Sequence, residues 1–162
     1  MTELMALAAQ VGAKLIARGE TVAVAESSSG GLLSAALLSV PGASAYFQGG
    51  AVVYTAKARM QLLNLTREDV TGMRSASEPY ATLLARTAKL RFGTDWAISE
   101  TGAAGPSGNP YGDAPGHSCL ALAGPVETVI TLETGKDGRL DNMVAFAREA
   151  LKLLDAALSK PL

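Results

Sequence analysis

A run of three serines and two glycines follows a short predicted strand near the start of the chain. The strand covers residues 21–25, and a predicted apolar helix over 32–40 follows the run. Between them lie Glu26, Ser27, Ser28, Ser29, Gly30 and Gly31. A turn of this kind directs backbone N–H groups and the positive end of a helix dipole at one point, which suits a phosphate or a developing oxyanion. The alternative is that the serines cap the helix and the glycines only close the turn.

A tyrosine and two cations form a second candidate group. Tyr54 closes a predicted strand over 49–54, and Lys57 and Arg59 lie at the start of a short predicted helix. A tyrosine hydroxyl can orient or protonate a neighbouring group, and a desolvated lysine can act as a base. Amphipathic packing of the tyrosine and solvation of both cations is the alternative interpretation.

The third candidate segment is a Gly- and Pro-rich stretch over 101–116, which is predicted to be a long loop between two strands. Loops of this length inside a compact domain are often functional. His117 follows it and is the chain's one histidine, and Cys119 is its one cysteine. A metal site of histidines and cysteines, or a Ser-His-Asp triad, is therefore not indicated. Any catalysis must therefore use hydroxyls, amines, carboxylates or backbone amides.

The predicted elements place these three segments together. Helix 3–18 comes first, and the order of elements is αβαβααβ followed by ββα. This order predicts an α/β fold: a three-layer α/β/α sandwich with a mixed, mainly parallel sheet. Each candidate segment follows the carboxyl end of a strand, where ligands gather in such sheets. The three segments should therefore converge on one site.

Bulk properties exclude several classes of protein. The chain has 162 residues, of which 48% are hydrophobic, and this favours one domain over 1–162. A net charge of −1 argues against nucleic acid as a partner. A single cysteine, with no signal peptide or long apolar run, indicates a cytoplasmic protein with no membrane contact. We expect a homo-oligomer, as is common for enzymes of this size.

Four blocks of sequence resemble, in the same order, the motifs of one known family. They are AESSSGG at 25–31, FQGGAVVY at 47–54, SEP at 77–79 and TGAAGP at 101–106. The family's motifs read A-E-S-C-T-G-G, F-x-x-G-x-V-x-Y, V-S-E-P and S/T-G-I-A-G-P. On these blocks the chain resembles the stand-alone CinA C-terminal domain from about residue 3 to residue 155, without the larger N-terminal domain of many CinA proteins.

The resemblance implies a nicotinamide mononucleotide amidohydrolase that works without metal or cofactor in pyridine nucleotide recycling. In the family, the serine of A-E-S is the nucleophile and is assisted by a tyrosine and a lysine. By this resemblance, Ser27 is the nucleophile and Tyr54 is the assisting tyrosine. The resemblance also implies substrate-binding positions in the serine and glycine segments, which are Glu26, Ser28, Ser29, Gly30, Gly31, Thr101, Gly102, Ala103 and Gly105.

Two positions depart from the family pattern. The family lysine lies five residues beyond the tyrosine, where this chain has Arg59, and arginine stays charged at neutral pH and cannot accept a proton. Lys57 is the nearest lysine, but residues two apart on a helix point about 200° away from each other. Asp113 stands where the family has a cation. These departures leave two alternatives open: a nucleotide-binding relative with impaired catalysis, or a hydrolase of a different small amide or ester.

Overall fold

The computed structural model describes residues 1–161, which form one 3₁₀ turn over 43–45, five α-helices and five strands. In chain order these are α1 (Thr2–Arg18), β1 (Val22–Glu26), α2 (Leu32–Leu38), β2 (Phe47–Val52), α3 (Ala56–Leu63), α4 (Glu78–Phe92), β3 (Trp96–Ala103), β4 (His117–Ala123), β5 (Thr128–Glu133) and α5 (Arg139–Leu158). Within the described range, no helix combines the length and apolar character needed to cross a bilayer.

Local sequence signals determine where the longer helices begin and end. α1 ends at Gly19, whose φ of 64° is the left-handed conformation that glycine adopts readily. Ser77 caps the N-terminus of α4, because its hydroxyl accepts a hydrogen bond from the Tyr80 N–H at 3.4 Å. Gly93 ends α4 in the same left-handed conformation that ends α1. These signals lie within a few residues of each helix end, so the sequence alone indicates them.

The five strands form one sheet in the order β2-β1-β3-β4-β5. β1 pairs in parallel with β2 and β3, whereas β3 with β4 and β4 with β5 are antiparallel. α1, α2 and α5 cover one face, around a core that includes Trp96, Ile98 and Leu151. α3 and α4 lie on the other face, over the small residues Ala23 and Ala97. The predicted three-layer α/β/α sandwich with a mixed sheet is therefore confirmed, with parallel and antiparallel pairings equally represented.

Three boundaries differ from the sequence prediction. β3 continues to Ala103, because antiparallel pairing with β4 extends as far as the pair Ala103 and His117. β2 ends at Val52, so that Tyr54 lies two residues beyond the strand. The sequence also predicts a helix cap at Thr66, but no regular helix begins there, and the Thr66 hydroxyl and backbone N–H donate to Asp69 in an isolated turn.

Candidate active site

A cavity of about 490 Å³ opens at the carboxyl ends of β1, β2 and β3. Because these three strands are parallel, the segments that follow them emerge at the same edge of the sheet. The lining residues from the predicted site are Ser27, Tyr54, Arg59, Thr101 and Gly102. The structure thus brings together residues from all three candidate segments, which are far apart in the chain.

The serine turn, residues 27–31, is held to the sheet by two fully buried carboxylates, Glu26 and Glu100. Glu26 accepts hydrogen bonds from the backbone N–H groups of Gly31, Leu33 and Ser34, at 2.9 to 3.1 Å. These N–H groups belong to the first turn of α2, where no backbone partner is available to them. Glu26 therefore caps α2, and its charge complements the helix dipole.

Glu100 binds the serine turn from the neighbouring strand β3. Its Oε2 accepts the backbone N–H groups of Ser27 at 3.0 Å and Ser29 at 2.8 Å, together with the Ser29 hydroxyl at 2.9 Å. Its Oε1 accepts the hydroxyls of Ser28 and, at 3.2 Å, Ser118. Burial raises the pKa of Glu100, and its hydrogen bonds act in the opposite direction.

These contacts change the expected role of the turn. The N–H of Gly30 donates to the Ser27 carbonyl at 3.0 Å, and that of Gly31 is bound by Glu26. Most backbone donors that a phosphate or oxyanion would use are therefore already occupied inside the protein. Ser27 keeps its hydroxyl available, because its side chain is half-buried at the cavity wall and has no hydrogen-bond partner within residues 1–161.

Arg59 lies in the cavity and Lys57 does not. The Arg59 guanidinium is 5.9 Å from the centre of the Tyr80 ring, and its buried Nε has no hydrogen-bond partner in the described part of the chain. Lys57 is exposed on α3 and is not a lining residue. A buried donor without a partner is uncommon in proteins, and the guanidinium also places a permanent positive charge at the cavity.

A smaller cavity of about 210 Å³ adjoins the first one and shares Tyr54, Gly102 and Asn109 with it. Arg139, in the first turn of α5, lies at this smaller cavity. Its guanidinium donates to the Gly105 carbonyl at 2.5 Å and to the Tyr54 hydroxyl oxygen at 3.4 Å. Arg139 therefore connects the tyrosine to the glycine-rich loop, although Tyr54 itself remains 60% exposed.

The end of β3 and the loop after it form the remaining wall. Thr101 accepts the Ala76 N–H through its hydroxyl at 3.1 Å, and Ala103 is buried in the strand. At Gly102 a side chain would come within 2.7 Å of the Ser118 Cβ, so the close approach of β3 and β4 requires glycine there. Gly105 has a φ of 108°, which also favours glycine.

Asp113 has its own partners in the structure. Arg74 binds it through both guanidinium nitrogens, at 2.6 and 3.2 Å, and Asn109 donates to it at 2.7 Å. Burial raises the pKa of Asp113, but the bonds from Arg74 and Asn109 and the charge of His117 outweigh this effect, and the net pKa is lowered. The anion that replaces a family cation is thus neutralised by Arg74.

His117 joins the loop, the hairpin and the segment before α4. Its Nδ1 lies 2.5 Å from Glu133 Oε1, and its Nε2 lies 2.7 Å from the Ala76 carbonyl and 3.5 Å from Asp113 Oδ2. Burial lowers the pKa of His117, but these acceptors and the two carboxylates outweigh it and raise the pKa overall. Both ring nitrogens face acceptors, which favours the protonated imidazolium.

Sequence reasoning missed Glu100, Arg139 and Arg74. Glu100 carried a usable signal, since a carboxylate next to the apolar run of residues 96–98 in a predicted strand needs buried partners. Arg139 and Arg74 lie in ordinary polar sequence, and only the tertiary structure places Arg139 at the smaller cavity and Arg74 on Asp113. Another cavity, of about 510 Å³, lies along α5, where Arg148 and Glu149 pair with each other. Within residues 1–161, no three His, Cys, Asp or Glu side chains are grouped to hold a metal.

Comparisons with known proteins agree with the fold and the motifs. The family model described as the CinA C-terminal domain matches residues 4–158. A CinA-like protein of Chlorobium limicola is 41% identical over 148 residues, covering 88% of this chain and 34% of that protein. One from Anaeromyxobacter dehalogenans is 41% identical over 150 residues, covering 91% and 36%. The chain thus spans about a third of the length of these relatives.

Solved structures give the same result. The competence/damage-inducible protein of Agrobacterium tumefaciens superimposes with a TM-score of 0.89 at 30% identity, covering 98% of this chain and 96% of that one. A competence damage-inducible protein A of Klebsiella pneumoniae gives a TM-score of 0.91 at 26% identity, covering 98% and 99%. Together with the family match over nearly all of the sequence, these likenesses show that the chain belongs to the CinA C-terminal domain family.

Proposed function

We propose that the protein hydrolyses the carboxamide of nicotinamide mononucleotide to nicotinic acid mononucleotide and ammonia, with Ser27 as the nucleophile. The observation that carries this proposal is the shared cavity. Ser27, Tyr54 and Arg59, the three positions that match the family's catalytic set, line the same space of about 490 Å³. Membership of the CinA C-terminal domain family supports an amidase-like role.

In the proposed reaction, the Ser27 oxygen attacks the carboxamide carbon, and the serine proton passes through the Tyr54 hydroxyl to the departing nitrogen, which leaves as ammonia. The Arg59 guanidinium, which lines the same cavity, stabilises the oxygen that becomes negative. Water then hydrolyses the acyl-serine and releases the carboxylate. Arg59 supplies charge stabilisation and takes no proton, because its guanidinium remains charged.

The substrate's two ends match the two cavities. Tyr80, Tyr111, Val70 and Met73 line the larger cavity and offer flat or apolar contacts for a pyridine ring. Arg139 and Ser107 line the smaller one and offer donors for a phosphate. In this arrangement the carboxamide lies at Ser27 and the phosphate lies at Arg139. Tyr54 belongs to both linings and lies between the two ends.

A second candidate is a nucleotide-binding protein without turnover. Its supporting observation is the absence of a lysine from the larger cavity's lining, in which Arg59 is a permanent cation and Lys57 lies outside. Such a protein would keep the ligand contacts while lacking a side chain that can accept the serine proton readily.

The test measures ammonia and nicotinic acid mononucleotide formed from nicotinamide mononucleotide by the purified protein, beside Ser27→Ala and Ser44→Ala variants. Ser44 is exposed and does not line the cavity, so its variant is the matched control. We expect turnover in the wild type and in Ser44→Ala, and none in Ser27→Ala. Unchanged turnover in Ser27→Ala would exclude Ser27 as the nucleophile. Binding without turnover in the wild type would support the second candidate, and neither binding nor turnover would contradict both.

A further inference from the structure

Glu100 is a fully buried carboxylate that contacts no part of the larger cavity. Five donors surround its two oxygens, three of them hydroxyls and two of them backbone N–H groups. Four of the five belong to residues 27–29, which lie more than 70 positions away in the chain. A carboxylate with this many donors is favoured in its ionised form by each of them, while burial opposes ionisation.

The position of Glu100 explains why it acts on Ser27 indirectly. Side chains alternate along a strand, so Glu100 lies on the same sheet face as Ile98, the face that α2 and α5 cover. The Ser27 backbone N–H is bound to Glu100 at 3.0 Å, whereas its side chain lies at the cavity. Glu100 thus fixes the backbone of Ser27 from beneath the turn and leaves the hydroxyl free on the other side.

We propose that Glu100 is a positioning residue whose ionised carboxylate holds the serine turn in the conformation that presents the Ser27 hydroxyl to the cavity. Protonation of Glu100 removes acceptor capacity from an oxygen that binds the turn, so the turn loosens. The link to catalysis rests on the proposed function, whereas the effect on the turn does not. The fall of kcat/KM at low pH then follows the protonation of Glu100.

The charged surroundings of Glu100 are simple. Glu26 on β1 is the titratable group that faces it, across the Ser29 hydroxyl. β4 presents Ser118 and Leu120 on this face, and α5 brings Met143 close to the turn at Gly30. These β4 and α5 side chains do not titrate. Glu26 and Glu100 are therefore the two groups whose ionisation must be distinguished.

Backbone amide resonances distinguish them. The Ser27 and Ser29 amides donate to Glu100, and the Gly31 and Ser34 amides donate to Glu26, so a pH titration of ¹⁵N-labelled protein follows each carboxylate separately. We expect the Ser27 and Ser29 amides to titrate together with a midpoint above the ordinary glutamate value of 4.5. The acid limb of kcat/KM for nicotinamide mononucleotide should have the same midpoint.

Two variants complete the test. Ser118→Ala removes one donor to Glu100, so both midpoints should rise by about half a pH unit or more. Ser99→Ala is the control, because Ser99 is a buried serine on the same strand that bonds to Ala81 and not to Glu100. Glu100→Gln should abolish the titration of Ser27 and Ser29 and lower kcat/KM by about tenfold or more; if it does not fold, Ser118→Ala carries the test.

The outcomes separate the two proposals. Amides of Ser27 and Ser29 that do not titrate together, or midpoints that Ser118→Ala leaves unchanged, would overturn the role of Glu100 in the turn. An acid limb that stays in place while the amide midpoint moves would overturn its role in catalysis. If the amides behave as expected but the wild type shows no turnover, the proposed function fails and the control of the turn by Glu100 is supported.

Discussion

Glu26 and Glu100 share one hydrogen-bond donor, the hydroxyl of Ser29, which lies 2.7 Å from Glu26 Oε1 and 2.9 Å from Glu100 Oε2. A hydroxyl has a single proton and donates it to one acceptor at a time. Two buried carboxylates therefore compete for the same donor. The stability of the serine turn depends on this small side chain.

Ser29→Ala tests that dependence. Removal of the hydroxyl takes one donor away from the pair of buried carboxylates, and we expect the free energy of unfolding to fall by about 1–3 kcal/mol. Urea unfolding at neutral pH measures the change. Ser44→Ala, at an exposed serine, should alter stability by less than about 0.5 kcal/mol. A Ser29→Ala protein as stable as that control would contradict the shared-donor interpretation.

Arg59→Lys restores a side chain that can lose its proton inside the cavity. If the arginine limits catalysis, kcat for nicotinamide mononucleotide should rise by about tenfold or more, since a positioned general base contributes about 10²–10⁴-fold. Steady-state assays of ammonia release measure it. Lys57→Met is the control and should leave kcat within about twofold, because Lys57 is exposed outside the cavity. A drop in kcat in Arg59→Lys would show that the charge stabilisation assigned to the Arg59 guanidinium outweighs the gain of a base.

Arg139→Met removes the cation at the smaller cavity and its hydrogen bonds to Gly105 and Tyr54. We expect KM for nicotinamide mononucleotide to rise by about tenfold or more, because charge-assisted hydrogen bonds contribute about 1.5–3 kcal/mol. KM for nicotinamide riboside, which has no phosphate, should change much less. Arg148→Met, farther along the same helix, is the matched control. Equal effects on both substrates would place the phosphate elsewhere.

His117→Gln tests the ionic contacts of the imidazole. The pKa of His117 is raised in the folded protein, so its protonated form stabilises the fold. That contribution is complete below the unfolded pKa of about 6.5 and is lost as the pH rises through the folded pKa. The stability difference between wild type and His117→Gln should therefore shrink as pH increases above 6.5. Urea unfolding between pH 6 and 8.5 measures it, and a constant difference would contradict a charged His117.

Local sequence signals were enough to predict the ends of the longer helices. Gly19, Ser77 and Gly93 determine helix ends through conformations that depend on their immediate neighbours. The sheet layers followed from the order of elements. By contrast, β3 was predicted to end at Glu100 because the Thr101 and Gly102 sequence resembles a loop, and only its pairing with β4 keeps it extended. Pairing between distant segments is not encoded in a local pattern.

The candidate site was predictable where it rested on strand ends and motifs, and unpredictable where it rested on long-range partners. Parallel strands bring Ser27, Tyr54 and Thr101 to one edge, as the sequence order indicated. The sequence could not reveal that Glu26 and Glu100 occupy the turn's backbone donors. That arrangement requires the turn, β3 and β4 to meet in three dimensions, and the hydroxyls involved have several possible partners in sequence alone.

The donors around Glu100 have a consequence for how the protein changes during evolution. Ser28, Glu100 and Ser118 form one hydrogen-bonded unit drawn from three separate segments. The family motif has cysteine at position 28. A thiol is a weak hydrogen-bond donor, so a cysteine there would leave a glutamate at position 100 without a strong donor to one of its oxygens. A single replacement within the unit should therefore be more destabilising than a joint replacement of its members. We expect these three positions to covary among relatives, and an alignment that shows them varying independently would contradict this expectation.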